Sequence, residues 1–256
     1  FCEPAPLVAR ANRLRTSRAA LVEHLAAAGV TATPVEVAVG AAHTDMALRL
    51  DGLGDPARSP SFAAGLWTVQ DSGAQLVAQV AAPRAGQRIL DACAGVGGKT
   101  PHLAELADDA APIDAADQNA TKLGLCGETA SRLGLPSIRR HAVDLLGAEL
   151  PGPYDLIVLD APCTGLGVLR RHPDAKWRLK REDVARMAAL PTQLLDAVVK
   201  RLAPGGALVY SVCTFTRAEG PEQVAALAQR TGMRVVVEHR TWPPDADAFY
   251  LARLER

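Results

Sequence analysis

The chain has 256 residues, 48% of them hydrophobic, and 28 basic against 28 acidic side chains give a formal net charge of zero. That is enough apolar material for one large core, or a core with an appendage, and no apolar run reaches membrane-spanning length. The five cysteines (Cys2, Cys93, Cys126, Cys163 and Cys213) are odd in number and form no CxxC pair, which argues against a disulfide framework or zinc site and for a reducing, cytoplasmic setting.

In chain order, the opening "FCEPAPLVARANRLRTSR" has neither the apolar stretch nor the cleavage site of a secretory signal. It lacks an initiator Met, as a fragment or a processed chain would. Residues 1–70 hold short segments broken by Pro, Gly and Asp, with one clear helix in "SRAALVEHLAAAG". They predict a small α+β appendage that is a candidate RNA contact. From there the pattern alternates: strand ("RILDACAG"), helix ("KTPHLAELA"), strand ("APIDAAD"), helix, strand ("SIRRHAVDLL"). The second helix, "NATKLGLCGETASRLGL", lines up Leu123, Cys126, Ala130 and Leu133 on one stripe. "YDLIVLDAP" is an unbroken apolar strand of the kind buried on both faces. A long amphipathic helix follows, interrupted by Pro191, then the buried strand "ALVYSVCT" and two final strands, "MRVVVEH" and "AFYLARLE". This alternation predicts a doubly wound, mainly parallel α/β sheet, with the last two strands as an antiparallel hairpin at its edge.

Ligands of such sheets sit outside the carboxyl ends of the strands. The strand ends therefore nominate Cys93, Ala94, Gly95, Val96, Gly97, Gly98 and Lys99 after the first strand, Asp117 after the second and Asp144 after the third. Asp160 to Cys163 follow the fourth, and Cys213 follows the fifth. The glycine loop admits several ligands. A P-loop would need a glycine where Cys93 stands, and a dinucleotide fingerprint would need one at Thr100. An adenosyl group needs fewer glycines and an acid for its ribose hydroxyls, which Asp117 can supply; a ligand-free tight turn also fits the loop alone. The thiols carry a second argument. A thiolate is the strongest nucleophile among side chains, and positive charge nearby raises its population. Arg170, Arg171 and Lys176 are candidates for that field, although a basic run alone reads equally well as solvated surface. Attack on carbon 6 of a cytosine would turn its unreactive carbon 5 into an enamine carbon. One Cys, one Asp and a methyl donor therefore suffice for 5-methylation of a pyrimidine.

"DACAGVGGKT", "LDAPCTGLGVLRRHPDAKW" and "LVYSVCTFTRAEG" together resemble the motifs of the RNA 5-methylcytosine methyltransferases, and most closely the bacterial Sun/Fmu group acting on small-subunit rRNA. The resemblance covers nearly the whole chain, and "RRHPDAKW" is its most specific part. It implies a seven-stranded Rossmann-like fold, with residues 71–256 as the catalytic domain, and S-adenosylmethionine held by Cys93 to Lys99, Asp117, Asp144 and Asp160. It further implies that Cys213 attacks, that Cys163 assists product release and that Asp160 lies between cofactor and cytosine. Small-subunit rRNA is the implied partner. The chain departs from the family in Gly95-Val96-Gly97-Gly98 for Ala-Pro-Gly-Gly. It departs again in Thr214 and "TRAEG" after Cys213, and in Pro191, where a kink is expected. A tRNA methyltransferase with the same core is the first rival reading. A non-catalytic RNA-binding or assembly protein is another. A nicotinamide-dependent oxidoreductase is disfavoured by the missing third glycine and the thiol pair.

Overall fold

A computed structural model describes residues 3–147 and 149–256; Cys2 lies outside the described residues. Seven strands form the central sheet: β1 (Ile89–Asp91), β2 (Ile113–Asp117), β3 (Ile138–Ala142), β4 (Tyr154–Asp160), β5 (Leu202–Val212), β6 (Arg234–Arg240) and β7 (Tyr250–Glu255). Their order is β6-β7-β5-β4-β1-β2-β3. The strands β1 to β5 run parallel to their neighbours, and β7 is inserted antiparallel to both β5 and β6. The expected edge hairpin is present, with its second strand innermost. The sheet is the doubly wound, mainly parallel Rossmann-like architecture that the strand–helix alternation predicts.

Alternation along β4 shows why the run is continuously apolar. Ile157 and Leu159 pack with Leu194, Leu195 and Val198 of the helix Arg181–Val199, together with Val224 and Leu227 of the helix Pro221–Thr231. Leu156 and Val158 face the other way, against Leu76, Val77 and Val80 of the helix Ser72–Ala81 and against Leu103. Side chains of a strand alternate between faces, so a strand covered on both must be apolar throughout. The helix Ala120–Leu133 buries the stripe Leu123, Cys126, Ala130 and Leu133, starts on an Asn119 cap and ends on left-handed Gly134.

Pro191 does not end its helix, which runs unbroken from Arg181 to Val199. Proline removes a backbone donor and crowds the carbonyls of the preceding turn. In that turn Ala188 O accepts from Thr192 Oγ1 at 3.2 Å and Gln223 Nε2 at 3.0 Å.

Ahead of this sheet lies a four-stranded antiparallel one, in the order Thr31–Pro34, Ala47–Asp51, Leu7–Ala11, Trp67–Val69. Leu21 and Leu25 of the helix Arg18–Ala27 pack on it beside Leu48 and Trp67. Buried Arg10 ties the sheet to the helix Thr100–Leu106 through Glu105 at 2.5 Å, and Gln70 Nε2 donates to Gly98 O at 2.6 Å. The first sheet therefore holds both the glycine loop and the helix that follows it.

Candidate functional site

The parallel strands β1 to β5 all end at one rim, and a cavity of about 480 Å³ opens there. Its walls include Cys93, Asp117, Asp144, Asp160, Cys163 and Cys213, so the three thiols and three carboxylates nominated from strand ends line one space. Gly95 also lines it, as do Val143 and Leu145 after β3 and Leu190 and Leu194 from the helix carrying Pro191. A volume in this range, apolar walls and a few convergent polar groups are what a small-molecule site requires.

The rest of the glycine loop serves the cavity indirectly. Ala94 is buried against Leu123 and Cys126, whereas Val96 is 50% exposed. Gly97 has φ +83°, and a Cβ there would fall 2.8 Å from Cys126 Sγ, so the loop lies on the helix Ala120–Leu133 only without a side chain. Gly98 is engaged through its carbonyl by Gln70, and the Lys99 side chain is buried against Asp160. Gly95 N–H donates to Asp117 Oδ2 at 2.9 Å and Asn119 N–H to Oδ1 at 2.8 Å, which fixes the carboxylate at the cavity wall. Asp114, three residues earlier, plays a different part, since it is fully buried and accepts from Tyr154 OH at 3.0 Å and Arg139 Nε at 3.1 Å. Asp144 accepts from the N–H of Leu146 in its own turn at 3.0 Å.

The thiol pair sits where β4 and β5 end side by side. Cys163 Sγ and Cys213 Sγ are 3.3 Å apart and not bonded. Asp160 Oδ2 accepts from Lys99 Nζ at 2.5 Å and Oδ1 from Ser211 Oγ at 2.8 Å. Burial opposes the charge on Lys99, but the adjacent Asp160 outweighs it and holds the ammonium above its ordinary range. The hydrogen bond from Cys163 and, secondarily, the charge on Lys99 draw Cys213 below the usual thiol range against the effect of burial. Cys163 is pushed well up by that same hydrogen bond and by burial. Burial and three nearby carboxylates push Cys93 up too, and burial raises Cys126 to about 11. Among the described cysteines, the thiolate form is favoured at Cys213.

The cation responsible is Lys99, not the arginine run considered in the sequence. Arg170 Nε and Arg171 Nε both donate to Asp247, each at 2.5 Å, and Arg171 Nη2 donates to Asp71 at 3.0 Å. Arg170 and Asp247 are almost fully buried. The "RRHPD" arginines are thus internal clamps, neither a field on the thiols nor solvated surface. Arg171→Met is expected to lower unfolding free energy by about 1.5–3 kcal/mol, the worth of hydrogen bonds to a charged group. Urea unfolding measures it, and an unchanged midpoint would contradict the clamp.

Glu219 is a residue the sequence did not reveal. Fully buried, it accepts from Thr164 N–H at 2.7 Å, Thr164 Oγ1 at 2.8 Å, Thr216 Oγ1 at 2.7 Å and Thr214 Oγ1 at 3.2 Å. Thr164 follows Cys163 and Thr214 follows Cys213, so one carboxyl group joins both thiol loops. The only signal was an acid six residues after a strand-end cysteine, and nothing in its spacing announces burial.

Comparison with known proteins gives concordant results. Residues 78–255 match the model of a family described as 16S rRNA methyltransferase RsmB/F. The ribosomal RNA small subunit methyltransferase B of Salmonella typhi is 36% identical over 97% of this chain and 59% of its own length. A "probable ribosomal RNA small subunit methyltransferase B" from Synechocystis sp. is 38% identical over 94% of the chain and 52% of its own length. The chain thus spans between half and three-fifths of these relatives. Among solved structures, a methyltransferase homolog from Pyrococcus horikoshii superposes with a TM-score of 0.86 at 24% identity, covering 99% of this chain and 87% of that one. NSun6 from Pyrococcus horikoshii, solved with SFG, gives 0.85 at 21% identity over 99% and 91%. These two show a shared fold.

Proposed function

The chain belongs to the RsmB/F family of 16S rRNA methyltransferases, and from that premise we propose that it transfers a methyl group from S-adenosylmethionine to carbon 5 of a cytosine in small-subunit rRNA. The observation that carries this reading is the pair of thiols 3.3 Å apart at a cavity whose other walls hold Asp117, Asp144 and Asp160.

The donor set fits the cofactor. Asp117, both of whose oxygens are oriented by backbone N–H groups, would accept from ribose hydroxyls. Asp144, with the apolar Val143, Leu145, Leu190 and Leu194, would face the adenine. When bound, S-adenosylmethionine supplies a methyl group made electrophilic by its sulfonium. Among the residues, Cys213 would add its sulfur to carbon 6 of the cytosine, moving the C5=C6 electrons to carbon 5, which then takes the methyl group. Asp160, held by Lys99 and Ser211, would accept from the exocyclic amino group of the cytosine and so orient the ring for attack. Transfer of the carbon 5 proton to water, with its bonding electrons re-forming C5=C6 and the S–C6 electrons returning to sulfur, would restore the ring and the thiolate. Cys163, at hydrogen-bond distance from Cys213, is the group placed to assist that elimination.

Asp117→Ala is expected to weaken S-adenosylmethionine binding by about 1–3 kcal/mol through loss of charged hydrogen bonds. Calorimetry reads this directly, and NAD binding as tightly as S-adenosylmethionine would sink the cofactor assignment. The function itself is tested by bisulfite sequencing of ribosomal and transfer RNA from cells with and without the protein. A protected cytosine in small-subunit rRNA that disappears with the protein is the expected result. A lost mark in tRNA alone would move the substrate.

A further inference from the structure

The arginines of "RRHPD" converge on Asp247, a clamp that takes no part in the chemistry above. Asp247 is almost fully buried; Arg170 Nε and Arg171 Nε each donate to it at 2.5 Å, and its own N–H donates to Asp71 at 3.2 Å. Two residues further on is Phe249, also buried, the last residue before β7. Both of its backbone groups are taken by Thr241. The Thr241 N–H donates to Phe249 O at 3.0 Å, and the Phe249 N–H donates to Thr241 Oγ1 at 3.0 Å. Thr241 Oγ1 in turn donates to Asp247 O at 2.6 Å. The segment 241–249 is thus closed on itself and pinned by the two arginines.

The ring that this segment carries packs on the helix Ser72–Ala81 and on Lys99. A Cβ at Gly73 would fall 2.9 Å from Phe249 Cδ2, so the ring keeps this seat because position 73 has no side chain. Lys99 Nζ lies over the ring, 5.3 Å from its centroid. An ammonium has three donors, and among the described residues one is taken, by Asp160 at 2.5 Å. Lys99 is buried, and a ring face within about 6 Å is a favourable neighbour for a cation stripped of water. The titratable and charged groups facing Cys213 are Cys163 and Asp160 at the end of β4 and Lys99 from the loop after β1; Asp91, at the end of β1, also faces Lys99.

We propose that Phe249 is a positioning residue for the reaction: held by the Arg170–Arg171 clamp, its ring fixes the Lys99 ammonium beside Asp160 and Cys213. This rests on the reading that Cys213 attacks the cytosine. A lysine head on a flexible four-carbon stem can pivot about a single hydrogen bond. The ring is the second contact that restricts it, and the arginines act on the thiol through the ring.

Iodoacetamide alkylation of Cys213 at a series of pH values, read by peptide mass spectrometry, tests this on the whole chain without RNA. Phe249→Met keeps bulk and removes the ring face. Its Cys213 should ionise at higher pH, so that alkylation on the acid limb slows about threefold, the effect of half a pH unit. Phe249→Tyr should keep the wild-type limb. In a Lys99→Met background Phe249→Met should add nothing, because the ring acts through the ammonium. A limb left in place by Phe249→Met, or the same loss in both backgrounds, overturns the proposal. Arg171→Met should move the limb as Phe249→Met does, and a limb it leaves in place overturns the part assigned to the arginines. A measurement on the wild-type protein covers a variant that fails to fold. With carbon-13 lysine, one of the five lysine ε-methylene signals should be shifted upfield by the ring and be missing in Lys99→Met. Absence of a shifted signal overturns the contact itself. RNA methylation is scored separately. A moved limb without methylation would count against the catalytic reading and leave Phe249 in its role, and methylation with an unmoved limb would do the reverse.

Discussion

Cys213→Ala is expected to abolish turnover and to form no covalent RNA adduct, whereas Cys163→Ala should methylate once and stall with RNA attached through Cys213. Removal of a catalytic nucleophile typically costs about four orders of magnitude or more, and no other side chain in this cavity matches a thiolate at neutral pH. Cys93 lines the same cavity, but burial and its carboxylate neighbours suppress its ionisation. The two variants differ because release, not attack, is the step assigned to Cys163. A denaturing gel should show a slowly migrating band with Cys163→Ala alone. A band with Cys213→Ala alone would mean that the roles are exchanged.

The pH dependence follows from the same contact. Attack needs the thiolate of Cys213, whose population falls as pH drops through its depressed pKa. The hydrogen bond from Cys163 is the largest contribution to that depression, and Lys99 adds to it. In Cys163→Ala the Cys213 pKa must rise, so the acid limb of the adduct-formation rate should move to higher pH. Lys99→Met should move it in the same direction. A limb that stays in place in both variants would show that neither group tunes the nucleophile.

Glu219→Ala is expected to cost about 3 kcal/mol of stability and to lower single-turnover methylation about a hundredfold, the penalty of displacing reacting groups by an ångström. The Thr164 N–H would be left buried without its acceptor, and three threonine hydroxyls would lose theirs. Hydroxyls can turn to other acceptors, but a backbone N–H cannot. Glu219→Gln keeps an oxygen for that N–H, so it should retain most of the stability. Chemical denaturation and rapid-quench methylation measure the two effects. Wild-type values for Glu219→Ala would contradict a role for this carboxyl group in joining the thiol loops.

What the sequence disclosed and what it withheld have physical reasons. The strands β1 to β5 and their order of use were legible because buried parallel strands are short apolar runs ended by acids and glycines, as "YDLIVLDAP" is. Their ends marked the cavity because parallel strands deliver their carboxyl ends to one rim. Partnership across the fold was not legible. Arg170 and Arg171 look like a field for the thiols or a solvated run in one dimension, but their acceptors, Asp71 and Asp247, lie about 75 to 100 positions away. Lys99 was read as part of a cofactor loop, and only the pairing of β1 with β4 explains how its ammonium reaches Asp160. Pro191 reads as an interruption in one dimension, yet the helix continues through it from Arg181 to Val199.

The central claim is that the methyl group goes to carbon 5 through a Cys213 adduct. RNA transcribed with cytosine tritiated at carbon 5 tests this in one reaction, because methylation there must expel the tritium into water. The account predicts one tritium released for each methyl group incorporated from S-adenosylmethionine, with both signals absent in Cys213→Ala. Methyl incorporation without tritium release would place the product elsewhere on the nucleotide and contradict the account.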